Sequence, residues 1–121
     1  GSAADLIKVA MIRARMCELR AEKQNPAIKP QMFIVGLLSV LDVIMEIPMV
    51  NLLDHLALSA PIKFALLQQE GEHGALLQQT ILYEQAQWET LLSMGAHRDS
   101  VVSAYLEAVH WADSSIDALL L

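Results

Sequence analysis

Along the chain, apolar positions recur at intervals of three and four, and proline and glycine interrupt them. No stretch alternates apolar and polar residues for long, and Asn-Gly and Asp-Gly turns are absent. The pattern predicts an all-α chain of about six helices. The first covers about Ala4 to Lys23 and is ended by "QNPAIKP", with Pro26 and Pro30 as breakers. It carries two apolar faces, one of Leu6, Ala10, Ala14, Cys17 and Ala21, the other of Val9, Ile12, Met16 and Leu19. A helix with two such faces belongs between layers. The small residues of the first face would let a second helix approach closely. Arg13 and Arg20 project between the faces. Lys8, Arg15, Glu18 and Glu22 form the polar side, with Arg15 and Glu18 spaced to pair.

The second helix, about Gln31 to Met45, is apolar nearly all round and is expected to be the most buried element. Its polar stripe is Gln31, Ser39, Asp42 and Glu46. "EIP" stops it, and a short helix of about Met49 to Ala57 follows. "LSAPIKFALLQQEG" gives a helix with Ser59 as N-cap, Pro61 in the first turn and Gly71 just past the end. The next helix starts near Gly74 and runs to Gly95, with a possible break at Gln85–Gln87. The last, about Arg98 to Leu120, turns Val101, Ala104, Tyr105, Ala108, Trp111, Ala112, Ile116 and Leu119 inward. It turns Asp99, Ser103, His110, Asp113, Ser114 and Asp117 outward.

Composition adds three constraints. Apolar residues make up 55% and charged residues 18% of the chain, below the usual share of about 25% charged. Such a chain has more core-forming surface than one small domain needs, which points to a partner, self-association or a missing part of the same domain. A net charge of −6 with no basic cluster argues against nucleic acid. The uninterrupted apolar run Met32 to Leu38 is too short to cross a bilayer, which takes about 20 residues, so no membrane insertion is expected. Cys17 is the one cysteine, so neither a disulfide framework nor a cysteine-based metal site can be built. It reads as a small buried hydrophobe, and a cytoplasmic location fits. The opening "GS" reads as a cloning scar, and Gly1 and Ser2 are set aside from fold reasoning.

The segment "FIVGLLSVLD", Phe33 to Asp42, bears on chemistry. It resembles the "GLLHDIG" core of HD-superfamily phosphohydrolases, in which adjacent His and Asp bind a metal from a buried helix. Gly36, Leu37 and Leu38 match. Ser39 stands at the His position, Val40 at the Asp position, and Asp42 replaces a Gly. A hydroxyl is a poor ligand for a divalent ion and valine is none. The superfamily also uses an upstream histidine, and no histidine here precedes His55.

Read with its flanks, the chain resembles the C-terminal part of the HDOD domain, the non-catalytic HD-related output domain, in the version found in EAL–HDOD bacterial signalling proteins. There "RARFCE", "FLxGLLSLLD" and "YExGDW" occur in this order. The matching residues are Arg13, Arg15, Cys17 and Glu18; Phe33, Gly36 to Ser39, Leu41 and Asp42; and Tyr83, Glu84 and Trp88. "EQAQW" departs from the glycine-containing turn and is expected to lengthen the helix through Gln85–Gln87. The resemblance implies an HD/HDOD-like helical bundle. Residues 3–121 would form the C-terminal part of that domain, without its N-terminal helices. It implies a catalytically inert output or regulatory unit, with no cofactor and no metal. Such a unit would act through contacts with protein partners or with an adjacent EAL-type cyclic di-GMP phosphodiesterase domain. A degenerate phosphohydrolase or nucleotide-binding domain is the second reading, and a helical dimerisation module the third.

The residues singled out for interaction or structure are Arg13, Arg15, Glu18, Ser39, Asp42, Tyr83, Glu84 and Trp88. Glu84 and Trp88 are expected on one helix face by their spacing. Asp42 is expected either to meet water at an edge or to be held by Arg13. His55, His73, His97 and His110 are scattered, and His110 with Asp113 and Asp117 reads as a solvated face. Truncation at the N-terminal boundary would leave one face of the first helix uncovered, and a two-fold dimer is expected to cover it.

Overall fold

The most extensive packing in the molecule is made by α1 (Ala3–Gln24), chiefly against the helices over residues 29–45 and 98–119. The computed structural model describes residues 2–120. Among them the chain is helical, with no strand. A 3-10 turn at Pro26–Ile28 leads into α2 (Lys29–Met45), followed by α3 (Met49–Leu53), α4 (Ala60–Gln68), α5 (Gly71–Glu84), α6 (Trp88–Ser93) and α7 (Arg98–Leu119). Among the described residues there are thus seven α-helices, in keeping with the expected number of about six, with the break at Gln85–Gln87 present.

Ser2, set aside from the sequence as a scar, caps α1. Its hydroxyl accepts from the Asp5 amide while the Asp5 carboxylate accepts from the Ser2 amide. The helix buries both expected faces along most of its length. Ala10, Ala14, Cys17 and Ala21 are enclosed on one, Met16 and Leu19 on the other. Its first turns are open, with Leu6 half-buried and Ile7 and Val9 exposed. α2 lies antiparallel to α1, since Lys29 pairs with Glu22 at one end and Ser39 meets Arg13 towards the other. Close approach is possible because Gly36 faces Ala14. A Cβ on Gly36 would lie 2.7 Å from the Ala14 Cα and 2.9 Å from the Arg13 carbonyl oxygen.

Pro30 does not end α1 but sits in the first turn of α2, where its missing N–H costs nothing. α2 is not buried all round. Met32, Val35, Gly36, Leu38 and Val40 are enclosed, whereas Phe33, Leu37, Leu41 and Ile44 are half-covered and Val43 and Met45 are exposed. By length and composition Pro26–Met45 could cross a membrane, which a count of uninterrupted apolar residues does not register. It packs against α1, α4 and α5, with a third of its most apolar window buried (33%).

The short elements depart most from expectation. α3 stops at Leu53, well before Ala57. Ser59 occupies the N-cap of α4 with extended backbone but makes no side-chain capping bond. Gln69 (φ 54°), not Gly71, closes α4 in a left-handed conformation, and α5 begins at Gly71. Gly74 lies inside α5, packed so tightly on the end of α4 that a Cβ would be 2.4 Å from the Gln69 carbonyl carbon. After α5, Ala86 adopts φ 58° and turns the chain into α6. On α7, Val101, Ala104, Ala108 and Ala112 are buried and Tyr105, Trp111 and Ile116 half-buried, but Leu119 is 81% exposed. It lies beyond the neighbours that cover the rest of the stripe.

Two cores result, on either side of α1. One joins Cys17 and Ala21 to Met32, Val35, Leu38, Leu53, Ile62, Ala65, Leu66, Leu76 and Leu77. The other joins Met16 and Leu19 to Leu91, Ala96, Val101, Ala104 and Ala108, with Tyr83, Trp88 and Tyr105 packed on its edge.

Candidate functional site

Three helices are tied at Arg13. Its Nε donates to Glu84 Oε2 at 2.9 Å and its Nη2 to Glu84 Oε1 at 2.5 Å. This is the two-pronged geometry that suits guanidinium and carboxylate. The remaining Nη1 donates to Ser39 Oγ at 3.1 Å, and that hydroxyl donates to the Gly36 carbonyl at 2.6 Å. The pair is mostly shielded, with side-chain exposures of 15% for Arg13 and 26% for Glu84. The positions at which an HD pattern would carry His and Asp therefore do different things. Ser39 serves the Arg13 node, and Val40, 5% exposed, is packed in the interior. Among the described residues no three His, Cys, Asp or Glu side chains are gathered closely enough to hold a metal ion.

Beside the node lies a cleft of about 450 Å³, lined by Val9, Ile12, Tyr83, Glu84, Ala86, Trp88 and Tyr105. Tyr83 sits between the other two rings, 5.3 Å from Trp88 at 89° and 5.0 Å from Tyr105 at 47°. These are edge-to-face and tilted arrangements that suit aromatic quadrupoles. The Arg98 guanidinium lies 4.3 Å from the centroid of the Trp88 ring, within cation–π range. Burial and the nearby Tyr105 hydroxyl push the Tyr83 phenol above its usual pKa.

Of the residues singled out from the sequence, Arg13, Ser39 and Glu84 are brought together, and Tyr83 and Trp88 border the same place. Glu84 and Trp88 do not share a helix face. Glu84 ends α5 and Trp88 begins α6, and the two meet across the cleft. Arg15 and Glu18 pair with each other elsewhere, with the Arg15 guanidinium 6.0 Å from the Trp111 ring. Trp111 in turn packs edge-on against Phe33. Asp42 is not held by Arg13. It is half-buried, with Oδ1 enclosed and unpartnered.

Four features are not singled out by sequence. Tyr105 reads only as an inward residue of α7, and Arg98 only as a helix start. Thr80 is fully buried, bonded to the Leu76 carbonyl and to the Cys17 thiol. Burial there pushes the Cys17 thiol up to about 11. Arg20 is 2% exposed, and neither Nη1 nor Nη2 has a partner. Burial lowers its pKa from the ordinary value. Its seven-residue spacing from Arg13 marks it as sharing that face.

No family model matches the chain, and no solved structure matches it. Two curated bacterial proteins are similar in sequence. The uncharacterized protein YuxH of Bacillus subtilis is 28% identical over 116 residues, which cover 94% of this chain and 28% of YuxH. The cyclic di-GMP phosphodiesterase CdgJ of Vibrio cholerae is 30% identical over 113 residues, covering 89% of this chain and 26% of CdgJ. The chain thus spans about a quarter of the length of the curated relatives it matches, and it does so along nearly all of its own length.

Proposed function

We propose that this chain is a non-catalytic, HDOD-like regulatory unit of cyclic di-GMP signalling that acts through protein contacts, in a longer protein or beside one that carries phosphodiesterase activity. The observation that carries the reading is the fate of the HD positions. Ser39 is spent on the Arg13–Glu84 node and Val40 on the core, so neither is available as a ligand. The likeness to CdgJ supports the signalling context. The ordered matches at Arg13 to Glu18, Phe33 to Asp42 and Tyr83 to Trp88 support the HDOD-like assignment.

Contact with a partner is favoured by the apolar surface at the open end of α1 and α2, where Ile7, Val9, Val43 and Met45 are all at least 42% exposed. Isolated apolar residues at a surface are ordinary, but four on the neighbouring ends of two antiparallel helices make a patch suited to association. A cytoplasmic setting and self-association of the isolated chain belong to the same proposal. Light scattering of the isolated chain should return about twice 13.3 kDa. A monomer with cooperative melting would remove the self-association part.

The functional reading is tested in two measurements. The isolated chain, assayed with magnesium and with manganese, should not hydrolyse cyclic di-GMP. Removal of the matching 113-residue segment from CdgJ should change its turnover rate without abolishing the chemistry. Hydrolysis by the isolated chain, or a CdgJ rate indifferent to the deletion, would defeat the proposal.

A further inference from the structure

The cleft beside Arg13 carries a chemistry that the regulatory reading does not use. Its walls are aromatic at Tyr83, Trp88 and Tyr105, and its charged member is the Glu84 carboxylate. Glu84 is clamped by Arg13 through both oxygens. A carboxylate offers about four lone-pair positions, and Arg13 takes two, so the group is oriented and can still accept. Aromatic walls alone would also suit an organic cation. Two guanidinium groups oppose that here, Arg13 on the carboxylate and Arg98 on the Trp88 ring. A bare phosphate is disfavoured by Glu84 itself.

The ligand that answers the rings and the carboxylate together has a flat π-face and two adjacent N–H donors. Guanine presents N1–H and N2–H side by side. Adenine presents a single amino group next to an acceptor, so it cannot address a carboxylate in the same way. We infer that the cleft is a binding site for the base of a guanine nucleotide: the base is held among Tyr83, Trp88 and Tyr105, and its donor edge lies on Glu84. Stacking on aromatic side chains is the ordinary way in which unpaired bases are held, with hydrogen bonds to the base edge giving selectivity. The volume of about 450 Å³ accommodates a nucleoside. The inference rests on the signalling reading only for its biological ligand, a cyclic dinucleotide of guanine. The recognition chemistry stands on the cleft.

Tryptophan fluorescence gives the test. The chain has two tryptophans, and Trp111 packs on Phe33, not in the cleft. Trp111→Phe therefore leaves Trp88 as the sole reporter. GMP and cyclic di-GMP should each change its emission saturably, and AMP should bind at least about tenfold more weakly, the worth of one charge-assisted contact. Glu84→Gln should erase the preference for guanine, and Tyr105→Leu should weaken GMP and AMP alike. Melting curves of each variant show whether it is folded, and the comparison of GMP with AMP needs neither variant. No saturable response to GMP or cyclic di-GMP up to millimolar concentration, or an equal response to AMP, overturns the inference. That failure is separable from failure of the regulatory reading. A chain blind to guanine nucleotides, alongside a CdgJ whose rate depends on the matching segment, would sink the site and leave the regulatory role standing.

Discussion

The two cores on either side of α1 are built differently. The core shared with α2, α4 and α5 is aliphatic and closed, with Met32, Val35, Leu76 and Leu77 among its enclosed members. The core shared with α6 and α7 leans on alanines, Ala96, Ala104 and Ala108, and is finished at its edge by half-buried aromatic rings. Small residues draw helices together but fill little volume, so large rings complete the edge and leave a cleft there. Stability should therefore reside in the first core, and adaptable surface in the second. Ridges of aliphatic side chains pack tightly, whereas a ring edge beside a groove can move without opening the interior.

The sharpest way to break this comparison is a pair of truncations. Leu77→Ala in the closed core should cost about 2–5 kcal/mol, towards the upper end because rigid neighbours cannot collapse into the space. Leu91→Ala, equally buried but beneath the aromatic edge, should cost at least about 1 kcal/mol less, because Tyr83 and Trp88 can settle inward. Equal costs in urea denaturation would erase the distinction between the cores. Next in size is Gly36→Ala. It places a Cβ against the Ala14 backbone, where no side chain can swing aside. Forcing α1 and α2 apart should cost about 1–3 kcal/mol, and because α1 serves both cores, the loss should appear in probes of each. An unchanged midpoint would mean that the helix contact is looser than its geometry states.

A smaller effect reports on the closed core through pH. The Cys17 thiol is raised from 9.0 to about 11 by burial. The folded state therefore holds its proton after the unfolded state has lost it. Stability from this group is complete below pH about 9 and falls as pH rises from about 9 to about 11. At about pH 10 the loss should be on the order of 1 kcal/mol. Cys17→Ala should melt with a correspondingly smaller alkaline decline than the parent chain. An identical decline in both would place the thiol in contact with solvent.

The smallest effect concerns the turn between α5 and α6. Ala86 holds φ 58°, a conformation that disfavours a Cβ by roughly 1–2 kcal/mol. Glycine gives back part of that as chain entropy. Ala86→Gly should stabilise the chain by about 0.5–1 kcal/mol. A destabilised variant would show that the Ala86 methyl is needed as part of the cleft wall.

That turn also shows where sequence reasoning stopped. Helical periodicity located α1, α2 and α7 closely, since each carries a long apolar stripe and a proline or glycine at its ends. It misjudged the end of α3 and the end of α4, and left the joint at Gln85–Gln87 open between a break and a continuous helix. Left-handed residues that are not glycine, Gln69 after α4 and Ala86 between α5 and α6, turn the chain at two of these places, and composition gives no sign of them. The segment "YEQAQW" has no glycine yet turns at Ala86, and contacts on either side hold that residue in place. These are Arg13 to Glu84 before it and the Tyr83–Trp88 pair across it. For the site, Arg13, Ser39 and Glu84 were each legible as polar residues in apolar surroundings. Their union was not, because it joins positions 26 and 71 residues apart. Tyr105 was invisible as a cleft member for the same reason, and so was Arg98 as the cation on the Trp88 ring. Arg20 lay on the same face as Arg13, but only the fold shows that its guanidinium is enclosed without a partner.

Under the proposed function, this chain regulates phosphodiesterase activity and does not supply it. That role is tested most directly by cyclic di-GMP turnover in a CdgJ whose matching segment is exchanged for this chain, with and without Arg13→Ala. The account predicts that the chimera hydrolyses cyclic di-GMP, that the isolated chain does not, and that Arg13→Ala, by untying α1, α2 and α5, shifts the rate of the chimera. Hydrolysis by the isolated chain, or a chimera whose rate ignores both the exchange and the substitution, would contradict it.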